Sequence, residues 1–265
     1  MYQVRVKFED QIANWSAPED YSKVAIHLAG LPNTPLPVPG ITEFLTGQGY
    51  ALLQPHYPGT HDSAGVFDPY ATHVIVPAWM SALERGLVID LGKSEKLEAK
   101  EDVSLLSSHS YGTYVGMRAL REGAMVDKAV FFCTSFAYGK LGRQFGQIDD
   151  KSSSARYVRD AFPLTFRTER QDAIEEFYVE HSHDDLHMAP AEGVTDCFVV
   201  SPGADETSDP KVSQSGALNF LRSHAERFSV GGNLIAEGAG HAVASMLNEQ
   251  VRSELAKWLN TEGVR

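Results

Sequence analysis

The stretch VSLLSSHSYGTYVG, residues 103–116, passes abruptly from an apolar run into small and polar residues. The apolar run is typical of a buried strand, and the residues after Ser110 are typical of a helix. A sharp strand-to-helix turn lifts a side chain clear of the sheet and requires small residues two positions before and after it. Ser108 and Gly112 meet that requirement, so Ser110 is either a polar turn residue or a nucleophile. We expect its neighbour His109 to pack against the sheet in a structural role.

Short apolar runs alternate with longer helical patterns along the chain, which predicts an α/β fold. Such an order is typical of a mostly parallel sheet with helices on both faces. The predicted strands are 2–8, 23–30, 50–59, 103–109, 128–135, 196–203 and 232–238. The predicted helices are 41–49, 70–88, 111–123, 209–228 and 242–259.

One segment interrupts this alternation. Residues 137–192 separate two predicted strands by far more than a single crossover needs, and they are polar with helical pieces such as RQDAIEEFYVEH. We interpret the segment as an inserted helical cap. The core would then consist of residues 1–136 and 193–265.

Reactive side chains follow three of the predicted strands. In an open α/β sheet, chemistry takes place beyond the carboxyl ends of the strands. Ser110 follows one strand, Asp205 and Asp209 follow the next-to-last, and His241 follows the last. A histidine can take the proton of a serine hydroxyl, and a carboxylate orients the imidazole and stabilises its charged form. The pattern predicts Ser110 as nucleophile and His241 as base, with Asp205 favoured as the acid because Asp209 is also a good helix cap.

Over about residues 22–260 the chain resembles the α/β-hydrolases. SHSYG (108–112) matches their Gly-x-Ser-x-Gly motif except at the first position, where a serine stands. HLAGLP (27–32) is similar to their His-Gly-x-Pro-type oxyanion turn. The resemblance implies that the backbone N–H groups of Leu31 and Tyr111 form an oxyanion hole.

Further segments resemble other loops of this family. PHYPGTHDSAG (55–65) resembles a Pro-Asp-x-x-Gly-x-Gly-x-Ser pattern, with His56 in place of the aspartate and His61 in place of a glycine. Either histidine is a loop residue or a substrate contact. SPGADETSD (201–209) resembles the acid loop and GAGHAV (238–243) the histidine loop. The family begins with an antiparallel hairpin, of which this sequence predicts only one strand, so we expect the first strand to be missing.

Two other groups of reactive residues are given structural roles. Cys133 and Cys197 lie in apolar runs and are predicted as buried free thiols inside strands, unsuited to act as nucleophiles. EHSHDDLH (180–187) places His183 and His187 four residues apart, a spacing that suits metal ligands on one helix face. The acidic surroundings favour a solvated cap surface instead, so no metal is expected.

Composition limits the partners of this protein. Its 265 residues carry 35 acidic and 23 basic side chains, a net charge of −12, without a dense Lys/Arg cluster, so nucleic acid is not an expected partner. No apolar run reaches the roughly 18 residues that a membrane span requires. The first residues, MYQVRVKFED, lack the pattern of a signal peptide, and we expect a cytoplasmic protein. The sequence sets no oligomeric state.

These residues together predict a serine hydrolase with a small-molecule acyl substrate, a carboxylic ester first of all, and no cofactor. A thioesterase, a peptidase and a carbon–carbon bond hydrolase would use the same three residues. A lyase or acyltransferase, or a ligand-binding protein on the same scaffold, also remains open, because fold does not fix function.

Overall fold

The computed structural model describes residues 1–134, 165–170, 172–180, 193–206 and 210–261. Most of the predicted cap, 137–192, lies outside the described residues, as do Asp209 and the histidines His183 and His187. The division into core and cap stays a prediction.

A single sheet runs through the described chain. Its strands are β1 (Tyr2–Phe8), β2 (Gln11–Ala17), β3 (Lys23–Leu28), β4 (Tyr50–Pro55), β5 (Ile89–Asp90), β6 (Glu95–Lys96), β7 (Val103–His109), β8 (Lys128–Phe132), β9 (Thr195–Pro202) and β10 (Phe228–Ala236). They lie in the order β10-β9-β8-β7-β3-β4-β2-β1-β5-β6. All pairs from β10 to β4 are parallel, and the pairs from β4 to β6 are antiparallel. The predicted parallel sheet is thereby confirmed.

The expectation of a missing first strand is wrong. Strand β2 pairs antiparallel with β1 and inserts between β1 and β4. It escapes sequence analysis because six of its seven residues are buried, the polar Asn14 and Ser16 among them, so neither alternation nor an apolar run marks it. The Asn14 amide is satisfied by donating to the Pro35 carbonyl oxygen at 3.1 Å.

Helices cover both faces of the sheet, as predicted. They are α1 (Ile41–Gly47), α2 (Ile75–Glu84), α3 (Tyr111–Arg121), α4 (Ala173–Glu180), α5 (Pro210–Ser223), α6 (Val243–Met246) and α7 (Glu249–Leu259). One apolar core lies between the sheet and α2, α3, α4 and α5, and a second lies between the sheet and α1, α6 and α7. Within the described residues, no helix combines the length and the apolar character needed to cross a bilayer.

The single helix predicted over 242–259 is two helices. Asn248 interrupts it, because its side-chain oxygen accepts a hydrogen bond from the Val251 N–H at 3.0 Å and so caps α7. The apolar stripe read from the sequence is nevertheless buried, with Val251, Leu255 and Leu259 facing the second core.

Candidate active site

Ser110 occupies a strained turn between β7 and α3. Its φ of 51° and ψ of −121° are values that a residue other than glycine rarely adopts. Its N–H donates to the Phe132 carbonyl oxygen at 3.0 Å, which extends the ladder to the neighbouring strand by one bond. Strain of this kind persists only where the surrounding structure holds it, and it concentrates at functional sites.

Two glycines allow the backbone to close around Ser110. A Cβ on Gly112 would lie 2.1 Å from the Leu28 carbonyl oxygen, so only glycine fits where α3 passes the end of β3. A Cβ on Gly30 would lie 3.0 Å from both the Ser110 Cβ and the His109 Nδ1. The turn after β3 therefore lies directly against the candidate nucleophile.

Ser108 replaces the first glycine of the family motif without conflict. Its side chain is fully buried. Its hydroxyl donates to the Val130 carbonyl oxygen on the adjacent strand at 3.4 Å. A serine is tolerated here because the strand offers its hydroxyl a partner.

The structure brings Ser110, His241 and Asp205 into one hydrogen-bonded series. The Ser110 Oγ lies 3.0 Å from His241 Nε2. On the other side of the ring, His241 Nδ1 lies 2.9 Å from Asp205 Oδ2. The Asp205 side chain has no exposed surface, whereas the His241 side chain is 36% exposed. A buried carboxylate in this position accepts the Nδ1–H and fixes the orientation of the ring.

Backbone hydrogen bonds join the loops of Asp205 and His241. The Gly203 N–H donates to the Ala236 carbonyl oxygen, and the Ala204 N–H donates to the Ala239 carbonyl oxygen, both at 2.8 Å. These bonds continue the pairing of β9 with β10 beyond the strand ends. The acid and the imidazole therefore keep a fixed relative position.

Of the two residues assigned to an oxyanion hole, Tyr111 directly follows Ser110, and Leu31 follows a glycine that lies against Ser110. Tyr111 is the first residue of α3, and the N–H groups of a first helical turn have no acceptor within their helix. Leu31 follows Gly30, the glycine that lies against Ser110. The Tyr57 hydroxyl donates to the Ala29 carbonyl oxygen at 2.6 Å and holds that turn in place.

Sequence analysis missed one member of the site, Cys133. Both cysteines are buried and free, as predicted. The expectation that Cys133 lies inside a strand is wrong, however, because β8 ends at Phe132. The Cys133 Sγ lies 3.1 Å from Asp205 Oδ2 and 3.2 Å from His241 Nδ1. The signal that could have found it is its place directly after an apolar run, at the same sheet edge as Ser110.

His109 contacts the histidine loop as well as the sheet. Its Nε2 donates to the His241 carbonyl oxygen at 2.8 Å, and the two rings meet edge to face at 5.1 Å. Burial, together with the neighbouring His241, lowers the pKa of His109 to about 4. The ring is therefore neutral at neutral pH and holds the backbone of His241 rather than transferring protons.

His56 and His61 join loops near the site. His56 is only 2% exposed, and its Nε2 lies 3.4 Å from the Asn14 amide nitrogen. Burial lowers the pKa of His56 to about 4, with a further contribution from His61. His61 Nε2 lies 2.9 Å from the Asn33 Oδ1 in the loop after Leu31. The contacts favour the structural reading of both residues over a direct substrate contact.

Described pieces of the predicted cap contact the loop after β4 and the helix α3. The Arg167 N–H donates to the Gly59 carbonyl oxygen at 2.8 Å, and the Arg167 carbonyl oxygen accepts from the Phe67 N–H at 2.7 Å. In α4, the buried Phe177 packs against Tyr111 and Tyr114, with ring centroids 5.4 and 4.9 Å apart. These segments are therefore joined to the loop after β4 and to the helix that begins directly after Ser110.

No protein-family model and no curated protein matches the sequence. Solved structures match it along nearly the whole chain. A lipase in its open form aligns with a TM-score of 0.62 at 12% identity, covering 98% of each chain. An esterase from Pyrococcus furiosus aligns with a TM-score of 0.60 at 15% identity, covering 97% of this chain and 91% of that one.

A further match is an α/β-hydrolase enzyme from the metagenome of lagoon sediments at Mar Chica, Morocco. It aligns with a TM-score of 0.58 at 16% identity, covering 96% of this chain and 97% of that one. Likeness at these identities concerns the architecture of the chain. The strand order, the strained serine turn and these alignments together show that this chain has the α/β-hydrolase fold.

Proposed function

We propose that this protein is a serine hydrolase that cleaves carboxylic esters through Ser110, His241 and Asp205. The observation that carries the proposal is the unbroken series from Ser110 Oγ to His241 Nε2 at 3.0 Å and from His241 Nδ1 to Asp205 Oδ2 at 2.9 Å. Each of the three side chains follows a different parallel strand, so the series is built by the sheet and not by local sequence.

In the proposed reaction, the Ser110 oxygen attacks the ester carbonyl carbon while His241 Nε2 takes the hydroxyl proton. Asp205 keeps the other ring proton on Nδ1, which leaves Nε2 free to accept. The N–H groups of Leu31 and Tyr111 receive the developing negative charge, and one such donor is typically worth about 3 kcal/mol of the barrier. His241 then protonates the leaving alcohol and activates water against the acyl-enzyme. These steps use only this chain's residues and water.

The lipase and the esterase among the similar structures support an ester as the first substrate to test. We further propose that residues 137–192 form a cap that selects the acyl group. Phe177, packed on Tyr111 directly after the nucleophile, places an apolar side chain of that segment beside the site.

The first experiment is intact mass after treatment with a fluorophosphonate probe, on wild type, Ser110→Ala and Ser108→Ala. Ser108→Ala is the matched control because it removes a buried hydroxyl two residues away. We expect one adduct on wild type and on the control, and none on Ser110→Ala. An adduct of equal yield on Ser110→Ala, or none on folded wild type, would contradict an activated Ser110.

The second experiment identifies the acyl bond. Wild type and Ser110→Ala are assayed on p-nitrophenyl esters of increasing acyl length, on a thioester and on an anilide. Hydrolysis of the esters, but not of the thioester or the anilide, supports the proposal. Repeating the assay with an added alcohol acceptor separates hydrolysis from acyl transfer, because a transferase forms the new ester in preference to the free acid.

A further inference from the structure

Three potential metal ligands lie close together, and one of them is a nitrogen of the His241 ring. Cys133 Sγ, Asp205 Oδ2 and His241 Nδ1 form a triangle with edges of 3.1, 3.2 and 2.9 Å. Thiolate, carboxylate and imidazole are the three ligand types of zinc sites. Within the part of the chain that the structure describes, this group has its ligand atoms within 4.8 Å of one another.

The triangle is close to the size that a tetrahedral zinc ion needs. With ordinary bond lengths to sulfur, nitrogen and oxygen, the three ligand atoms would stand about 3.4–3.6 Å apart. Each edge would therefore open by about 0.5 Å or less, a shift that small side-chain rotations supply.

Charge also favours a divalent cation here. In the metal-free site the Cys133 thiol donates to the buried Asp205 carboxylate, and loss of the thiol proton would leave two negative charges at that distance. A Zn²⁺ ion between them would neutralise both. Of the three ligands, His241 is the exposed one, whereas Asp205 and Cys133 are covered.

We propose that Cys133, Asp205 and His241 form an inhibitory Zn²⁺ site that acts on the active site. The inhibitory effect rests on the proposed hydrolase function, whereas the binding does not. On binding, the Cys133 thiol releases its proton to solvent and its sulfur bonds to the metal. The neutral imidazole gives up Nδ1 to the metal and carries its single proton on Nε2.

With its proton on Nε2, the imidazole can no longer act as a base toward Ser110. With Nδ1 bound to metal, the Nε2–H donates toward the Ser110 oxygen, 3.0 Å away, instead of accepting its proton. Asp205 is occupied by the same ion. Ser110 then has no base, and both ester hydrolysis and fluorophosphonate labelling stop.

The test compares Cys133→Ser with the matched control Cys197→Ser. Cys197 is also a buried free cysteine, but its thiol donates to the Thr195 carbonyl oxygen at 3.6 Å, away from Asp205 and His241. Zn²⁺ is titrated in a chelator-buffered series, each variant being scored against its own metal-free rate. We expect Zn²⁺ to inhibit wild type and Cys197→Ser alike, and EDTA to reverse the inhibition. Mg²⁺ and Ca²⁺ should not inhibit either protein, because they prefer oxygen ligands. Cys133→Ser should need at least about tenfold more Zn²⁺, since even changes behind a metal ligand cost that much affinity.

Binding is measured separately from activity, so that the two proposals can fail independently. Zinc affinity comes from competition with a chromogenic chelator, and bound Co²⁺ should show a thiolate-to-cobalt charge-transfer band on wild type that Cys133→Ser lacks. A Cys133-dependent band without ester hydrolysis would keep the metal site and overturn the hydrolase. If Zn²⁺ inhibited ester hydrolysis equally in wild type and Cys133→Ser, and Co²⁺ gave no thiolate band, the metal site would be overturned while the hydrolase function would stand.

Discussion

The residues that follow the neighbouring strands β7 and β8 share a positive φ and carry different side chains. Ser110 and Cys133 have φ values of 51° and 50°. Each follows directly after its strand, and each donates its N–H to the next strand along, to Phe132 at 3.0 Å and to Val200 at 2.8 Å. At the same edge of the sheet, two neighbouring strands therefore end in a residue with positive φ and the same type of N–H bond.

The difference lies in which side of His241 each turn contacts. Ser110 approaches Nε2, and Cys133 approaches Nδ1 and Asp205. One imidazole is thus held between two adjacent strand ends. The ends of the two strands bring both side chains to the same imidazole. The chemistry at each position then depends on the side chain and on which ring nitrogen it contacts.

The largest expected effect separates the two turns by activity. Ser110→Ala should lower kcat about 10⁵-fold or more, as loss of a nucleophile does. Cys133→Ala should lower it only about fivefold, because it removes one weak hydrogen bond to a carboxylate. Steady-state ester hydrolysis measures both. Equal losses would show that the two turns are functionally alike and would contradict the assignment of the nucleophile.

The second prediction sharpens the role of the carboxylate beside Cys133. Asp205→Asn should lower kcat about 10⁴-fold, because an amide no longer enforces the tautomer in which Nε2 accepts. Asp209→Asn is the control and should change kcat little, since Asp209 is predicted as a helix cap. A larger loss in Asp209→Asn than in Asp205→Asn would reverse the choice between the two acids.

The third prediction concerns the close packing at the Ser110 turn. Gly112→Ala should lower the free energy of unfolding by about 3 kcal/mol, because the new Cβ would meet the Leu28 carbonyl oxygen on a rigid strand. Gly47→Ala, at the end of α1, is the matched control, since a Cβ there has no atom within 4 Å. Urea unfolding measures both variants. An unchanged free energy of unfolding in Gly112→Ala would show that the turn can open.

The fourth prediction uses His109, the residue that precedes the Ser110 turn. The pKa of His109 is about 4 in the fold against 6.5 for the free side chain, so between these pH values only the unfolded chain takes up the proton. Stability should therefore fall as pH falls from 6.5 to 4, by about 1.4 kcal/mol per pH unit for each such histidine. His109→Gln keeps a donor for the His241 carbonyl and should remove one histidine's share of that slope, while His27 and His56 keep theirs. An unchanged slope in urea titrations at several pH values would refute this account.

The smallest effect compares the strain of the two turns directly. Ser110→Gly and Cys133→Gly should each raise the free energy of unfolding by up to about 1 kcal/mol, because glycine adopts positive φ without strain. Chemical denaturation of the two variants gives the values. A gain at one turn only would show that the shared backbone hides unequal strain.

Predictions from sequence succeeded where the pattern was local. Strand β7 has the predicted bounds, 103–109, because its apolar run ends abruptly at the turn. Strand β10 begins at Phe228, four residues before its predicted start. Two glycines near its beginning hide the pattern, and the structure explains them, because Cβ atoms on Gly231 and Gly232 would collide with Trp258 and Phe198.

The sequence by itself determined the alternation of strands and helices, the serine turn, and Asp205 and His241 as the side chains that follow later strands. These features depend on residues close together in the chain, through hydrophobic periodicity and the sterics of a tight turn. Only the tertiary structure decided that β2 inserts beside β4, that His109 holds the backbone of His241, and that Cys133 meets the acid and the imidazole. Those contacts depend on which strands become neighbours, and they join residues tens to more than a hundred positions apart, a distance at which local sequence carries no signal.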